Sequence, residues 1–207
     1  MITSHHGIIP DPAHHTGCGK GHLLRANRPG CNRNFIAEVN NIRPYLPVNI
    51  SKVYSSPLQR CHKLAKELFP SHAIELDGDL MELNCGSWEM QVWNEIPKTE
   101  IQPWLDDFIN VVVPGGESYQ QMHQRVTNRF EWIVEQELPA VVVAHGGVLR
   151  SILAHITGTG LKESFDVFTC HYGSVVKITT HEKNFRHEML YNVSLTGKEW
   201  HRPSSGF

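Results

Sequence analysis

The stretch PAVVVAHGGVLRSILAHITG, residues 139–158, constrains the fold more than any other part of this chain. Ala140 to Ala144 make a continuous apolar run of buried-strand character, Gly146 and Gly147 interrupt it, and a helical pattern follows at once. A strand that is apolar on both faces has to be covered on both, as happens to a parallel strand inside an α/β sheet. In such sheets ligands bind outside the carboxyl ends of the strands, which is where the glycine pair falls.

The same grammar recurs earlier. NISKVYSS (49–56) reads as a strand and PLQRCHKLAKELF (57–69) as the helix after it, with Pro57 suited to a first turn and Leu58, Leu64, Ala65 and Leu68 on one face. Between the two units, EIPKTEIQPWLDDFINVV (95–112) reads as a helical stretch containing proline and tryptophan, PGGES (114–118) as a turn, and 119–137 as a long helix. GSVVKITTHE and EMLYNVSL read as a closing strand pair. The expectation is an α/β fold.

The beginning of the chain departs from this pattern. No acidic residue stands between Asp11 and Glu38, whereas Lys20, Arg25, Arg28 and Arg33 are basic, and no structural period is visible. Composition shifts near residue 35, which divides the chain into an atypical segment, 1–34, and a domain, 35–207. With 207 residues, 40% of them hydrophobic, the chain can bury one core of ordinary size. A formal net charge of -2 argues against nucleic-acid or membrane-surface binding as the main activity. Five scattered cysteines without a CxxC pair argue against a disulfide framework. The absence of a signal-peptide pattern or a membrane-length apolar run adds to the expectation of a cytoplasmic protein.

Four places carry candidate chemistry. His145 follows a buried strand and precedes two glycines that open a helix, so its imidazole stands beside backbone N–H groups that favour an anion, those of Gly146 among them. It is suited to bind or protonate a phosphate; the alternative is a satisfied histidine in a core turn. Arg60, one turn into the helix after YSSP, can grip a phosphate in bidentate fashion or be an ordinary surface arginine. LMELNCGSWEM (80–90) holds Glu82 and Glu89, and a carboxyl beside a phosphate dianion is biased towards its protonated form, as a general acid needs; Glu82 is the candidate. In PGGES, Glu117 and Ser118 can contact a ligand, or Ser118 can cap the long helix with Glu117 as a favourable nearby charge.

The order of these pieces, strand-SSPLQR-helix, LMELNCGSWEM, PGGES, then strand-AHGG-helix, resembles the histidine phosphatase superfamily over roughly residues 48–195. Within it, MELNCGSWEMQVWNEI is most similar to the α-ribazole-5′-phosphate phosphatases of cobalamin nucleotide-loop biosynthesis. The resemblance implies a phosphoglycerate-mutase-like, three-layer α/β/α fold with a mostly parallel central sheet and a cap-like insertion at about 83–117. It implies a phosphomonoester hydrolase in which a histidine attacks phosphorus, a carboxylic acid protonates the leaving alkoxide, and water hydrolyses the phosphohistidine. Carried over by position, His145 is the second histidine, Arg60 a phosphate clamp and Glu82 the proton donor. No metal or other cofactor is implied, and the expected partner is a small phosphorylated metabolite bound by a monomer or homodimer. A broader sugar-phosphate phosphatase and a phosphoglycerate mutase are the alternatives.

The family's nucleophile belongs to an Arg-His-Gly motif at the end of a central first strand. Here the counterpart is ITSHHG: His6 aligns with the nucleophile and Gly7 with its glycine, the arginine is replaced by His5, and the strand is cut to Ile2 and Thr3. A charged clamp of that kind is worth on the order of 10²–10³ in rate. Its replacement keeps open a catalytically impaired, phosphate-binding member of the family. An altered reading frame or wrong start over the first 30 or so residues would account for both the lost strand and the absence of acids. His5, His6, His14, His15, Cys18 and His22 also admit a zinc-binding module, although adjacent histidines do not readily share one tetrahedral site.

Overall fold

The computed structural model describes residues 5–10, 35–91, 95–181 and 184–193. Six strands form one sheet in the order β3-β2-β4-β1-β5-β6: β1 His5–Pro10, β2 Lys52–Ser55, β3 Ile74–Leu76, β4 Ala140–Ala144, β5 Val175–His181 and β6 Asn184–Tyr191. The four strands from β3 to β1 run parallel, and β5 and β6 add an antiparallel edge. The helices are α1 Phe35–Ile42, α2 Gln59–Leu68, α3 Lys98–Asp106, α4 Tyr119–Glu135, α5 Gly146–Thr157 and α6 Ser164–Val167.

The buried strand divides its residues between two cores, as the alternation of side chains across a pleated sheet requires. Ala140, Val142 and Ala144 of β4 join Met122, Val126 and Phe130 of α4 and Leu149, Ile152 and Leu153 of α5. Val141 and Val143 face the opposite way, towards Val39 and Ile42 of α1 and Cys61, Leu64 and Ala65 of α2. Every residue of β4 is buried, which accounts for a run without a polar position. These two helical layers around one sheet are the expected three-layer α/β/α arrangement.

The segment 83–117 builds no core of its own. Trp88, Ile96, Ile101 and Val113 pack into the cluster that holds α4 and α5. Helix α3 carries Pro103 in its interior and ends at Asp106, well short of the helical reading to 112. Ser118 does cap α4: its Oγ accepts from the Gln121 N–H, and the Gln121 side chain accepts from the Ser118 N–H.

The first strand differs from the sequence expectation. Instead of ending before His5, β1 contains His5, His6 and Gly7 and continues through Ile8 and Ile9 to Pro10. It lies between β4 and β5, so pairing on both edges, rather than its own propensity, specifies it. Residues 11–34 and 194–207 lie outside the described residues, and with them most of the atypical segment. Among the described residues no helix is long and apolar enough to cross a membrane.

Candidate active site

The site forms where β2 and β4, neighbours in the sheet, deliver their carboxyl ends to helices α2 and α5. Strand β2 ends in Ser55, and Ser56 continues the pairing by donating its N–H to the Val143 carbonyl, 2.9 Å away. Helix α2 starts at Gln59 rather than at Pro57 because Leu58 stays extended, with its N–H directed at Ser56 Oγ, 3.3 Å. One turn of α2 then places Arg60 beside the end of β4. There His145 occupies the N-cap position of α5 in an extended conformation.

Arg60 and His145, 85 residues apart in sequence, meet in space: a guanidinium Nη2 lies 2.7 Å from His145 Nδ1. Because guanidinium nitrogens only donate, Nδ1 accepts and the ring proton sits on Nε2, which donates to Ser56 Oγ at 2.8 Å. The imidazole is thus neutral and fixed at both nitrogens. Cys61 supports the ring, with its Sγ 3.5 and 3.6 Å from the two ring nitrogens while it donates to the Ala144 carbonyl. His145 is 2% exposed, and Arg60 is half-buried. A phosphoryl oxygen entering between Nη2 and Nδ1 would accept from Arg60 and, where Nδ1 carries a proton, from the imidazolium.

Glu82 approaches the same helix end from the loop after β3. Its Oε2 accepts the Gly147 N–H at 3.3 Å, and its Oε1 accepts the N–H of Leu83 at 3.0 Å. A β-carbon on Gly147 would overlap the Glu82 carboxylate, so glycine is what allows the acid this close to the helix. Gly147→Ala is therefore expected to displace the Glu82 carboxylate from the amino end of α5. A crystal structure of the variant with Glu82 unmoved would contradict this.

Behind the glycines, Tyr119 donates its hydroxyl to the Gly147 carbonyl at 3.3 Å and receives Ser151 Oγ at 3.5 Å. Burial pushes the Tyr119 phenol up to about 12, and the nearby Arg150 guanidinium only partly opposes it, so the phenol keeps its proton at any ordinary pH.

The candidates from sequence therefore separate into groups. His145, Arg60 and Glu82 converge on the amino end of α5, together with the backbone of Gly146. Ser118 serves as a helix cap and is 2% exposed. Glu117 is paired with Arg125, with Nη2 to Oε1 at 2.6 Å and Nε to Oε2 at 3.0 Å.

His6 and Gly7 do not converge with His145. In the parallel pairing of β1 with β4, His6 stands opposite Ala140, Gly7 opposite Val141 and Pro10 opposite Ala144. His6 thus lies at the entry end of the strand, about 16 Å from the level of His145 at ~3.3 Å per residue. The strand runs on past His6 and Gly7, and it is Pro10 that stands level with Ala144, the residue before His145. Of the proposed zinc ligands, His14, His15, Cys18 and His22 lie outside the described residues. Among the described residues no three His, Cys, Asp or Glu are grouped to hold a metal ion.

Ser56 and Cys61 escaped the sequence reading although both stand in the quoted YSSPLQRC. Their signal was position alone: a hydroxyl at a strand end and a small thiol one residue after Arg60. Trp88 is a core residue, half-buried Trp104 packs edge-on against it with ring centroids 5.9 Å apart, and Trp93 lies outside the described residues.

The family model described as histidine phosphatase superfamily (branch 1) matches residues 38–193, starting three residues past the composition shift. A putative phosphoserine phosphatase 2 of Hydrogenobacter thermophilus is 28% identical over 131 residues, 60% of this chain and 64% of that protein. A metal-independent phosphoserine phosphatase of Arabidopsis thaliana is 35% identical over 115 residues, 51% of this chain and 48% of that protein. The chain thus spans about half to two thirds of the length of these curated relatives. Among solved structures, a putative α-ribazole-5′-P phosphatase of Escherichia coli superposes with a TM-score of 0.75 at 22% identity, covering 95% of this chain and 99% of that one. A mycobacterial glucosyl-3-phosphoglycerate phosphatase gives 0.76 at 16% identity, covering 93% and 100%. At these identities the structural likeness speaks to the fold, and the family match speaks to descent: this chain belongs to the histidine phosphatase superfamily, branch 1.

Proposed function

We propose that the protein is a phosphomonoester hydrolase that works through a phosphohistidine, with α-ribazole 5′-phosphate as its substrate. The observation that carries the reaction class is the convergence of one guanidinium, one buried imidazole and one carboxyl on the amino end of α5. Arg60 and His145 take the phosphoryl oxygens, and the α5 N–H groups add partial positive charge where the transition state is most negative. Glu82, driven towards its protonated form by the dianion, delivers a proton to the leaving alkoxide. The α-ribazole assignment is supported by the similarity of MELNCGSWEM to that subfamily.

The β1 register favours a second reading, a member that binds phosphate esters but turns them over poorly. With His6 on the level of Ala140, an in-line nitrogen opposite Glu82 is not supplied by that residue. One experiment separates the two readings. The purified chain is offered α-ribazole 5′-phosphate, phosphoserine and 3-phosphoglycerate, and the protein is quenched in base to preserve acid-labile phosphohistidine for mass-spectrometric mapping. Turnover fastest on α-ribazole phosphate, with the phosphoryl group mapped to a single histidine, is the expected result. Saturable binding without turnover supports the second reading. Label on His6 would overturn the register, and faster turnover of phosphoserine would overturn the substrate.

A further inference from the structure

Glu82 must be held to within a fraction of an ångström to deliver a proton, yet it sits in a loop with no regular structure beyond a short 3-10 turn at Gly78–Leu80. What fixes that loop is a side chain on the far side of it. Arg125, on the second turn of α4, donates from Nη1 to the Asp79 carbonyl at 2.7 Å and from Nη2 to the Glu82 carbonyl at 3.2 Å. The same guanidinium forms the two-pronged ion pair with Glu117. Glu117 in turn accepts the Asn84 N–H at 2.8 Å on Oε1, and its own N–H donates to the Asn84 carbonyl at 3.0 Å. One half-buried ion pair therefore grips the chain at residues 79, 82 and 84, on both sides of the acid.

We propose that Arg125 and Glu117 are positioning residues that set the place of the Glu82 carboxyl against Gly147, and so govern protonation of the leaving group. The proposal rests on the reading of Glu82 as proton donor. Arginine is required for its fork: a lysine supplies the charge but cannot bond two carbonyls and both carboxylate oxygens at once. Glu117 acts on the same backbone through Arg125 and directly through Asn84, so removing either partner releases the loop. Because both residues work through one element, their effects should not add.

A loop residue of purely structural value would slow all substrates alike. A positioning residue for the acid slows substrates in proportion to their need of a proton. Esters of alcohols need one, whereas p-nitrophenolate leaves without it. In Arg125→Gln and Glu117→Gln, kcat on an alkyl phosphate is expected to fall about tenfold or more, part of the ~10²–10⁴ that general acid catalysis supplies, while p-nitrophenyl phosphate falls less than about threefold. Arg125→Lys should resemble Arg125→Gln, and the double variant should be no worse than about the larger single.

A second readout does not need turnover. The Gly147 amide donates to Glu82, so its NMR shift against pH carries the titration of that carboxyl, and Glu82→Gln should abolish the inflection. Arg125→Gln and Glu117→Gln should shrink or shift the same inflection. If Glu82→Gln leaves the inflection and the substrate preference intact, the role of Glu82 fails. If Glu82→Gln behaves as stated but both positioning variants titrate like the parent, or slow both substrates equally, the positioning proposal is overturned. Should the parent show no turnover, the titration decides alone, and should Arg125→Gln not fold, Glu117→Gln, which breaks the ion pair while leaving the Arg125 side chain in place, is read instead.

Discussion

His145→Ala is expected to weaken binding of inorganic phosphate by about two orders of magnitude and to remove measurable hydrolysis, since one preorganised donor in a dry site is worth roughly 10²–10³. Two losses combine in that number. The direct one is the imidazole as a donor to a phosphoryl oxygen. The indirect one is Arg60, whose Nη2 loses its contact with His145 Nδ1. Arg60→Met should cost a comparable factor, and the double variant should lie well short of the product of the two, as expected for side chains that share one contact. Ser56→Ala leaves the ring but removes the acceptor that fixes its Nε2–H, so it should cost only about tenfold, near the ~1–1.5 kcal/mol of a single hydrogen bond. Titration calorimetry with inorganic phosphate measures all four without requiring turnover. Unchanged affinity in His145→Ala would move the anion site away from α5.

The pieces legible in the sequence were those whose cause is local. Five apolar residues followed by two glycines announce β4 and the start of α5, because both the burial on two faces and the break in it are written in adjacent residues. Likewise SSPLQR announces the end of β2 and the start of α2, although the helix waits until Gln59 while Leu58 caps back to Ser56. The Ser-x-x-Gln spacing at Ser118 and Gln121 is a capping box, and both halves of it form.

What stayed hidden depends on distant partners. Glu82 is 65 residues from the Gly147 N–H it receives, and nothing near either one signals the other. Arg125 looks like any basic residue on an amphipathic helix; its importance comes from two carbonyls more than forty residues away. The first strand is the clearest case. HHGIIP lacks the β-branched run that marks a central strand, and only the two edges of β4 and β5 define where it starts and stops. A motif carries order but not register, and a register shift moves a residue by ~3.3 Å per step, so HHG alone does not say which residue of β1 stands level with Ala144.

The largest expected effect on stability lies in the segment that carries the acid. Trp88 is 1% exposed, six residues after Glu82, and stands edge-on to Trp104 at 5.9 Å. From Trp104 the ring contacts continue to Phe108, Phe165 and Tyr119, so the aromatic cluster joins α3 to α4 and α6. Trp88→Ala removes the first ring of that series and leaves a cavity in the core beside the turn at Gly86, whose left-handed backbone leaves no room for a side chain against Pro114 and Gly116. Loss of a buried tryptophan is expected to destabilise by about 3–5 kcal/mol, a third or more of the ~5–15 kcal/mol that holds a domain folded. Urea denaturation should show this as a lower midpoint with an unchanged slope. Trp88→Phe keeps an edge-on ring and most of the buried area, and should lose less than half as much. In native-state hydrogen exchange, the Ser87 and Trp88 amides, bonded to Pro114 and Cys85, should lose protection before those of β4 do. A Trp88→Ala variant within about 1 kcal/mol of the parent would mean that the loop carrying Glu82 is held by the Arg125–Glu117 pair alone and that the aromatic cluster adds nothing to it.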